Sequence, residues 1–438
     1  MTYQEIVDYL YHLPRFTKNG HMENVRKFLQ KMGNPQDSFQ YIHVAGTNGK
    51  GSVCAYMESG LRLCHKKTGL FTSPHLVRIN ERICVDGQQI SDDDFARIFN
   101  RIQLLVEKER DNGYLTPTFF EYLYLMAMDY FREQKVEYGV VEAGLGGRGD
   151  FTNVIEHPRL TVIMPVGMDH MQILGDTLEE IAWEKAGIIK SGCACVSSYQ
   201  EESPRRVIAD YAQTMGVVPV FLEKEDYEIQ EENGKTIDFC MDSVYHGRCN
   251  FVLHTAANYQ VQNAATAVLG LEELWKDEGF SLDFQETVAK ALAQMRWPGR
   301  MEELEKDFYV DGAHNAPAAK VFCEAVGHAF GSRSLYLIFA VAADKDYRAI
   351  ISLLAGIPTL RGVVVTEIES ERHCSREIEE EIFRSYWKGT IKSTGSIEEA
   401  IKLGKEMRGE DGVLCCVGSL YLVGSVKERI GGGSIDQF

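Results

Sequence analysis

Short apolar runs alternate with segments of helical periodicity along most of the chain. The run Tyr41-Ile42-His43-Val44-Ala45 predicts a buried strand, and the spacing from Ser52 onward predicts a helix. Before it, residues 4–13 and 22–32 carry helical periodicity, the first stopping at Pro14 and giving way to a polar loop over residues 15–20. Further strand-like runs stand at 68–71, 138–142, 160–165 and 193–197, with helices between them, one of them over 177–190. Ser91, followed by Asp92, Asp93 and Asp94, caps another helix and sets carboxylates at its positive end. Strands separated by helices predict a parallel sheet covered on both faces. The rhythm changes between residues 227 and 254, where short alternating runs flank Glu232-Asn233-Gly234; Asn-Gly suits a tight turn, so a hairpin is expected. Helical spacing returns at 258–274 and 286–295. Beyond Trp297-Pro298-Gly299-Arg300, strands near 308–310, 335–340, 363–366 and 413–417 again alternate with helices, and the Gly-rich segment from residue 431 reads as a frayed tail. The pattern predicts an α/β protein: a large P-loop ATPase-like parallel-sheet domain over 1–296 and a smaller Rossmann-like α/β domain over 297–438.

Composition narrows the setting. A chain of 438 residues, 45% apolar and 25% charged, has the length for two domains and the balance of a soluble globular protein with a large core. The formal net charge of -18 argues against general affinity for nucleic acid or attachment to an anionic membrane surface. No apolar stretch is long enough to span a bilayer, and the N-terminus has neither a basic region nor a signal-like apolar core, so a cytoplasmic protein is expected. The 11 cysteines are an odd number without paired CxxC spacing. Cys193, Cys195, Cys415 and Cys416 fall in strand-like runs, which reads as buried thiols in a reducing compartment.

The chemistry gathers at strand ends. HVAGTNGKGS (43–52) places glycines, a lysine and a serine between a strand and a helix. Glycines let backbone amides turn toward an anion, the helix adds its positive end, Lys50 reaches terminal phosphates and Ser52 offers a hydroxyl to magnesium. Gly51 stands between Lys50 and Ser52, where the common pattern has none. Ser73, Glu142 and His170 follow or end other predicted strands, and ligands of open parallel sheets collect outside those ends. By themselves Glu142 reads as a structural carboxylate, His170 as a hydrogen-bonded histidine, and Lys185 as a solvated lysine or one paired with Glu184. Together, hydroxyls and a carboxylate suit magnesium beside phosphates.

The wider set of motifs resembles the folylpolyglutamate synthase and dihydrofolate synthase family within the Mur ligase superfamily. It comprises HVAGTNGKGS (43–52), TSPHL (72–76), NERI (80–83), EAGLGGRGDFTN (142–153), GMDHMQILG (167–175), EKAGI (184–188), WPGRME (297–302), DGAHN (311–315), DKDY (344–347) and GSLYLVG (418–424), in family order from about residue 39 to 425. The interposed Gly51 fits this family's form of the loop. The resemblance implies an amide ligase: ATP phosphorylates a carboxylate of the acceptor, the amine of L-glutamate attacks the acyl phosphate, and ADP and phosphate leave. It also implies site roles. Asn48, Gly49, Lys50, Gly51 and Ser52 surround the phosphates; Ser52, Ser73 and Glu142 hold one magnesium; His170 and a carbamylated Lys185 serve a second. Asn263, Arg300 and Asp311 contact nucleotide held between the domains. Lys50, Lys185 and His314 take part in catalysis, although a hydrogen bond from His314 to Asp311 reads equally well. Tyr259 stands where histidine is common, Ala316-Pro317 where proline usually follows directly, and Gly149 and Phe151 vary the GGRxDxTN segment. Residues 19–24 match the pterin-side region only loosely. The expected substrates are a folate or dihydropteroate and L-glutamate, acting on a monomer without nucleic-acid or membrane partners. Ligation to a folate is the activity expected, and a bifunctional enzyme that also extends dihydropteroate is the second reading. A Mur-type cell-wall ligase fits less well, because the phosphate loop begins too early for an additional N-terminal domain. A non-catalytic nucleotide-binding regulator is the rival of another class.

Overall fold

The computed structural model describes residues 1–14, 21–243, 245–278, 283–368 and 373–431; the loop expected over 15–20 and the tail beyond Gly431 lie outside them. Among the described residues eleven strands precede residue 254: β1 Gln40–Ala45, β2 Thr68–Phe71, β3 Ile83–Val85, β4 Gln88–Gln89, β5 Tyr138–Glu142, β6 Leu160–Ile163, β7 Ala194–Ser197, β8 Val220–Phe221, β9 Tyr227–Glu232, β10 Ile237–Ser243 and β11 Gly247–Leu253. The first eight form one sheet in the order β4-β3-β2-β5-β1-β6-β7-β8. It is parallel except at one edge, where β3 runs against β2 and β4 against β3. Every residue of β5 is buried, as is all of β1 after Gln40, because helices cover both faces. Side chains alternate accordingly. Ile42, Val44 and Val140 pack with the helix Lys50–Leu63, with the helix Tyr259–Glu278 and with β9–β11, whereas Tyr41 and Val141 pack with the helices Tyr3–Tyr11, Asp92–Arg110 and Phe119–Glu133.

The hairpin expected at Asn233-Gly234 joins β9 to β10, and β11 completes a three-stranded antiparallel sheet. A further sheet follows: β12 Glu302–Glu305, β13 Phe308–Val310, β14 Leu335–Phe339, β15 Leu360–Val365, β16 Thr390–Ser393 and β17 Val413–Val417. Its order is β12-β13-β17-β14-β15-β16, parallel throughout except for β12. The edge strands β4, β12 and β16, and the three-residue β3 beside β4, escape the sequence pattern because they are short or half exposed and lack a long run of buried apolar residues. The helix expected over 177–190 ends at Ala186. There the turn tightens, with Ile188 and Ile189 donating to the carbonyls of Lys185 and Ala186. No helix among the described residues is long and apolar enough to cross a membrane.

One buried carboxyl stands on the helix Tyr259–Glu278, near Ser243 of β10. Glu272 is 1% exposed, and neither of its oxygens has a partner at hydrogen-bonding geometry. Burial pushes its pKa from 4.5 up to about 7; the nearby Ser243 hydroxyl opposes the shift and neighbouring Glu273 reinforces it. A carboxyl whose folded pKa is raised contributes fully below its unfolded pKa and loses that contribution as pH rises through the folded one. Glu272→Gln is therefore expected to be neutral in stability near pH 4.5 and stabilising above pH 7, by up to the order of 3 kcal/mol. Denaturant midpoints of the two proteins across this range check it; a constant offset would rule the titration out.

Candidate active site

β1 lies between β5 and β6, where the sheet order reverses, and the loops after these strands open into one crevice. The phosphate loop leaves β1 and enters the helix Lys50–Leu63 through Gly49, whose φ of 84° belongs to the left-handed region. A Cβ at Gly49 would stand 2.4 Å from Asn263 Oδ1. At Gly51 the constraint is space: a Cβ would lie 2.8 Å from Trp297 Cζ2 and 3.4 Å from Glu142 Oε2. The bare backbone there lets the tryptophan and the carboxylate close on the first helical turn, which gives the interposed glycine its physical reason. Lys50 Nζ donates to the carbonyls of Gly46 (3.1 Å) and Thr47 (3.2 Å) and stands 3.8 Å from Glu142 Oε1. Ser52 is 2% exposed, and its Oγ accepts from Gln260 Nε2 at 3.1 Å. Asn263 in turn donates to Gln260 Oε1 at 3.0 Å.

Glu142 ends β5, and its Oε2 accepts the Ser73 N–H at 2.9 Å. Burial pushes its carboxyl upward; Lys50, the Ser73 amide and more distant Arg300 and Arg82 pull the other way. After β6 come Asp169 and His170. His170 has φ 53° and precedes the short helix Met171–Leu174. Burial lowers its pKa, Asp169 opposes, and the charges of Lys345, Lys50 and Lys185 add to the lowering. Asp169 joins the two halves of the molecule. Lys345 Nζ donates to its Oδ1 and Asn315 Nδ2 to its Oδ2, both at 2.9 Å, while Asn315 and Asn48 exchange amide hydrogen bonds of 3.1 and 3.2 Å. Burial would raise the Asp169 carboxyl, yet Lys345 and His170 outweigh it and hold the group well below the usual carboxylate range.

Lys185 is the largest correction to the reading from sequence. It is neither solvated nor paired: it is 2% exposed, and its amine makes no hydrogen bond or ion pair among the described residues. Burial, with Lys50 adding repulsion, pushes its pKa down to about 7. Glu184 lines the same cavity but makes no ion pair with Lys185; it stands 3.7 Å from Arg148 Nε, whose guanidinium lies over the rings of Trp183 and Tyr211. His314 corrects a second reading. Its Nδ1 donates to the Gly312 carbonyl at 2.8 Å, not to Asp311. Burial, then Lys345, push its pKa down to about 4, so the ring is neutral near pH 7 and Nε2 is left as an acceptor. Asp311 accepts instead from Tyr259 Oη and, at 2.9 Å each, from the amides of Met301 and Ala313. Burial raises its carboxyl against the opposing charge of Arg300.

These groups face one cavity of about 1240 Å³ between the two parallel sheets. Every candidate named from the sequence lines it except Asn263 and Asp311, which stand behind its wall. Lys345 lines it too, and so does an aromatic arm of Tyr11, Phe119, Phe120 and Phe151 with Arg82. Sequence reasoning assigned none of these a role; DKDY (344–347), NERI (80–83) and Phe151 of EAGLGGRGDFTN were the pointers to Lys345, Arg82 and Phe151. Among the described residues no three His, Cys, Asp or Glu side chains converge as a metal cluster. The donors near the phosphate loop are hydroxyls and one carboxylate, a hard-oxygen set that suits magnesium sharing phosphate and water ligands. Lys185 fits a second cation only once its positive charge is removed.

Comparisons with known proteins agree with this architecture. Residues 44–271 match the Mur ligase middle domain, and residues 299–420 match the Mur ligase, glutamate ligase domain. The dihydrofolate synthase/folylpolyglutamate synthase of Bacillus subtilis is 31% identical over 442 residues, which span 98% of this chain and 99% of the relative. The folylpolyglutamate synthase of Thermotoga maritima superposes with a TM-score of 0.83 at 30% identity, covering 99% of this chain and 97% of that one. That of Mycobacterium tuberculosis, solved in complex with ADP and AMPPCP, superposes with a TM-score of 0.88 at 26% identity over 98% of both chains.

Proposed function

The chain belongs to the folylpolyglutamate synthase/dihydrofolate synthase family of Mur ligases, and from that membership we propose that it is an ATP-dependent, ADP-forming ligase that joins L-glutamate to a folate. One observation carries the reading: a single cavity unites the phosphate loop, the buried amine of Lys185, His314 and Lys345 of the second sheet, and an aromatic arm large enough for a flat acceptor. We divide the chain at 296/297, with nucleotide held across that boundary, and expect a monomer.

In the first step a carboxylate oxygen of the acceptor bonds to the γ-phosphorus while the bond to ADP breaks; in the second the glutamate amine bonds to the acyl carbon and phosphate leaves. Loop amides at the start of the helix Lys50–Leu63 and the ammonium of Lys50 hold the phosphates and meet the charge that develops on them. Arg300, beside Gly299 and within the field of Asp311, adds a donor for the nucleotide from the far side of the cleft. Asn263 and Asp311 act through what they hold: Asn263 fixes Gln260 against Ser52, and Asp311 pins the Met301 backbone next to Arg300. His314 presents Nε2 as an acceptor, which suits it to orient the attacking amine. Magnesium, when bound, would neutralise phosphate charge and keep the transferring group in line, with Ser52, Ser73 and Glu142 at one ion and His170 with Lys185 at a second. For that second ion Lys185 becomes a carbamate: the neutral amine bonds to the carbon of carbon dioxide and releases a proton, turning a cation into an oxygen-bearing anion.

The test uses purified protein, ATP, labelled glutamate and either a tetrahydrofolate or dihydropteroate. Glutamate-dependent ADP release with amide product from the folate is expected; product from both acceptors makes the enzyme bifunctional, as the name of the Bacillus subtilis relative has it. ATP binding without glutamate-dependent turnover would favour the regulator. Closure is expected to accompany binding: saturating magnesium-ATP slows amide exchange across residues 297–302, the segment that carries Arg300. Unchanged protection would place the nucleotide outside the interdomain cleft.

A further inference from the structure

One wall of the aromatic arm is built from three separated parts of the chain. Tyr11 ends the helix Tyr3–Tyr11, His75 lies in the loop after β2, and Arg82 closes the 3-10 turn Ile79–Arg82. Arg82 donates its Nε–H to His75 Nδ1 at 2.7 Å, and His75 Nε2 stands 3.0 Å from Tyr11 Oη. A guanidinium has donors and no acceptor. His75 Nδ1 must therefore accept and carry no proton, which makes the ring neutral with its single N–H on Nε2. That N–H donates to the Tyr11 oxygen, so the relay runs in one direction, from Arg82 through His75 to Tyr11. His75 itself is 3% exposed and stands behind the wall, whereas Tyr11 and Arg82 both line the cavity. Both ends are also stacked. The Tyr11 and Phe119 rings lie 5.5 Å apart at 21°, and the Arg82 guanidinium sits 5.3 Å from the Phe119 centroid and 5.7 Å from that of Phe120. Arg82 also reaches the field of Glu142, so the wall extends from the aromatic arm toward the phosphate loop.

We propose that His75 is a positioning residue for the acceptor: as the Nε2–H tautomer it holds Arg82 and Tyr11 against Phe119 as one preformed wall. A flat aromatic acid lies along that wall, with the guanidinium supplying donors to its carboxylate or amide oxygen. The identity of this acceptor rests on the ligase reading; the relay does not. Without His75 the two side chains must be ordered at the moment of binding, which weakens the acceptor and leaves the nucleotide untouched.

The experiment compares His75→Phe, which keeps a ring and removes both bonds, with His75→Asn, which keeps an acceptor for Arg82. Folding of each is confirmed by circular dichroism. His75→Phe is expected to raise the KM for the folate roughly tenfold, the effect of one or two lost hydrogen bonds. Its KM for ATP and its kcat at saturating folate should stay near those of the wild type, and His75→Asn should recover part of the loss. A folded His75→Phe enzyme with wild-type folate KM would overturn the proposal. Nitrogen NMR of the wild-type imidazole tests the relay independently, since it needs neither a variant nor turnover. A proton on Nε2 with Nδ1 bare is expected, and the opposite tautomer or an imidazolium would refute the relay. Failure of the wild type to release ADP with glutamate and a folate would sink the ligase reading alone, leaving the NMR result to judge His75.

Discussion

Lys185→Ala is expected to fold normally and to lose ligation by roughly 10²–10³-fold, the scale on which removal of one preorganised charge-stabilising group acts. The expectation comes from burial without a partner. An ammonium at 2% exposure with no hydrogen bond or ion pair is costly, and burial pushes its pKa down to about 7, toward the neutral amine. The neutral amine that results is the form that adds carbon dioxide, so the site is chemically prepared for a carbamate. Lys185→Glu returns a carboxylate to the same place and should recover part of the activity. Raising the pH of bicarbonate-equilibrated buffer from 6 to 8 crosses the pKa of about 7 and should increase loading, because the amine loses its proton over that range. Isotope-labelled bicarbonate, followed by NMR for a carbamate carbon, reads the modification directly. A bare amine in enzyme shown to be active in the same buffer would end the proposal.

Lys50→Ala is expected to lower turnover by a similar 10²–10³-fold while leaving the fold intact. The direct loss is a point charge placed for phosphate. A second loss follows from its neighbours. Lys50 lowers the pKa of Glu142 and, by repulsion, that of Lys185. Without it, the Glu142 carboxyl moves further upward, away from the charged form a metal needs, and Lys185 moves upward too, away from the neutral form. The variant should therefore need more magnesium for half-maximal activity than the wild type. Rates of ADP release across a magnesium series check both effects, and near-normal ligation in a folded variant would reject the phosphate-loop assignment.

The phosphate loop, the alternation of strands and helices, the Asn-Gly hairpin and the Ser91 cap were legible in the sequence because each is decided within a few residues. A left-handed glycine, a capping hydroxyl or an apolar period of two or 3.6 acts on its own stretch of backbone. Family motifs pointed to Ser73, Glu142, His170 and Lys185, which line one cavity, but not to the surroundings of each. Glu184 and Lys185 are chain neighbours that line one cavity, and nothing in their order says that one stands near Arg148 while the other is buried without a hydrogen bond or ion pair. His314 selects the Gly312 carbonyl over Asp311 because the carboxylate is already taken by Tyr259 and two amides. Asn48 meets Asn315 across a separation of 267 residues, and Lys345 meets Asp169 across 176. Local backbone preference belongs to the sequence alone. Burial, tautomer and pKa belong to the field of groups that only folding brings together, since each depends on how much water is removed and which charges replace it.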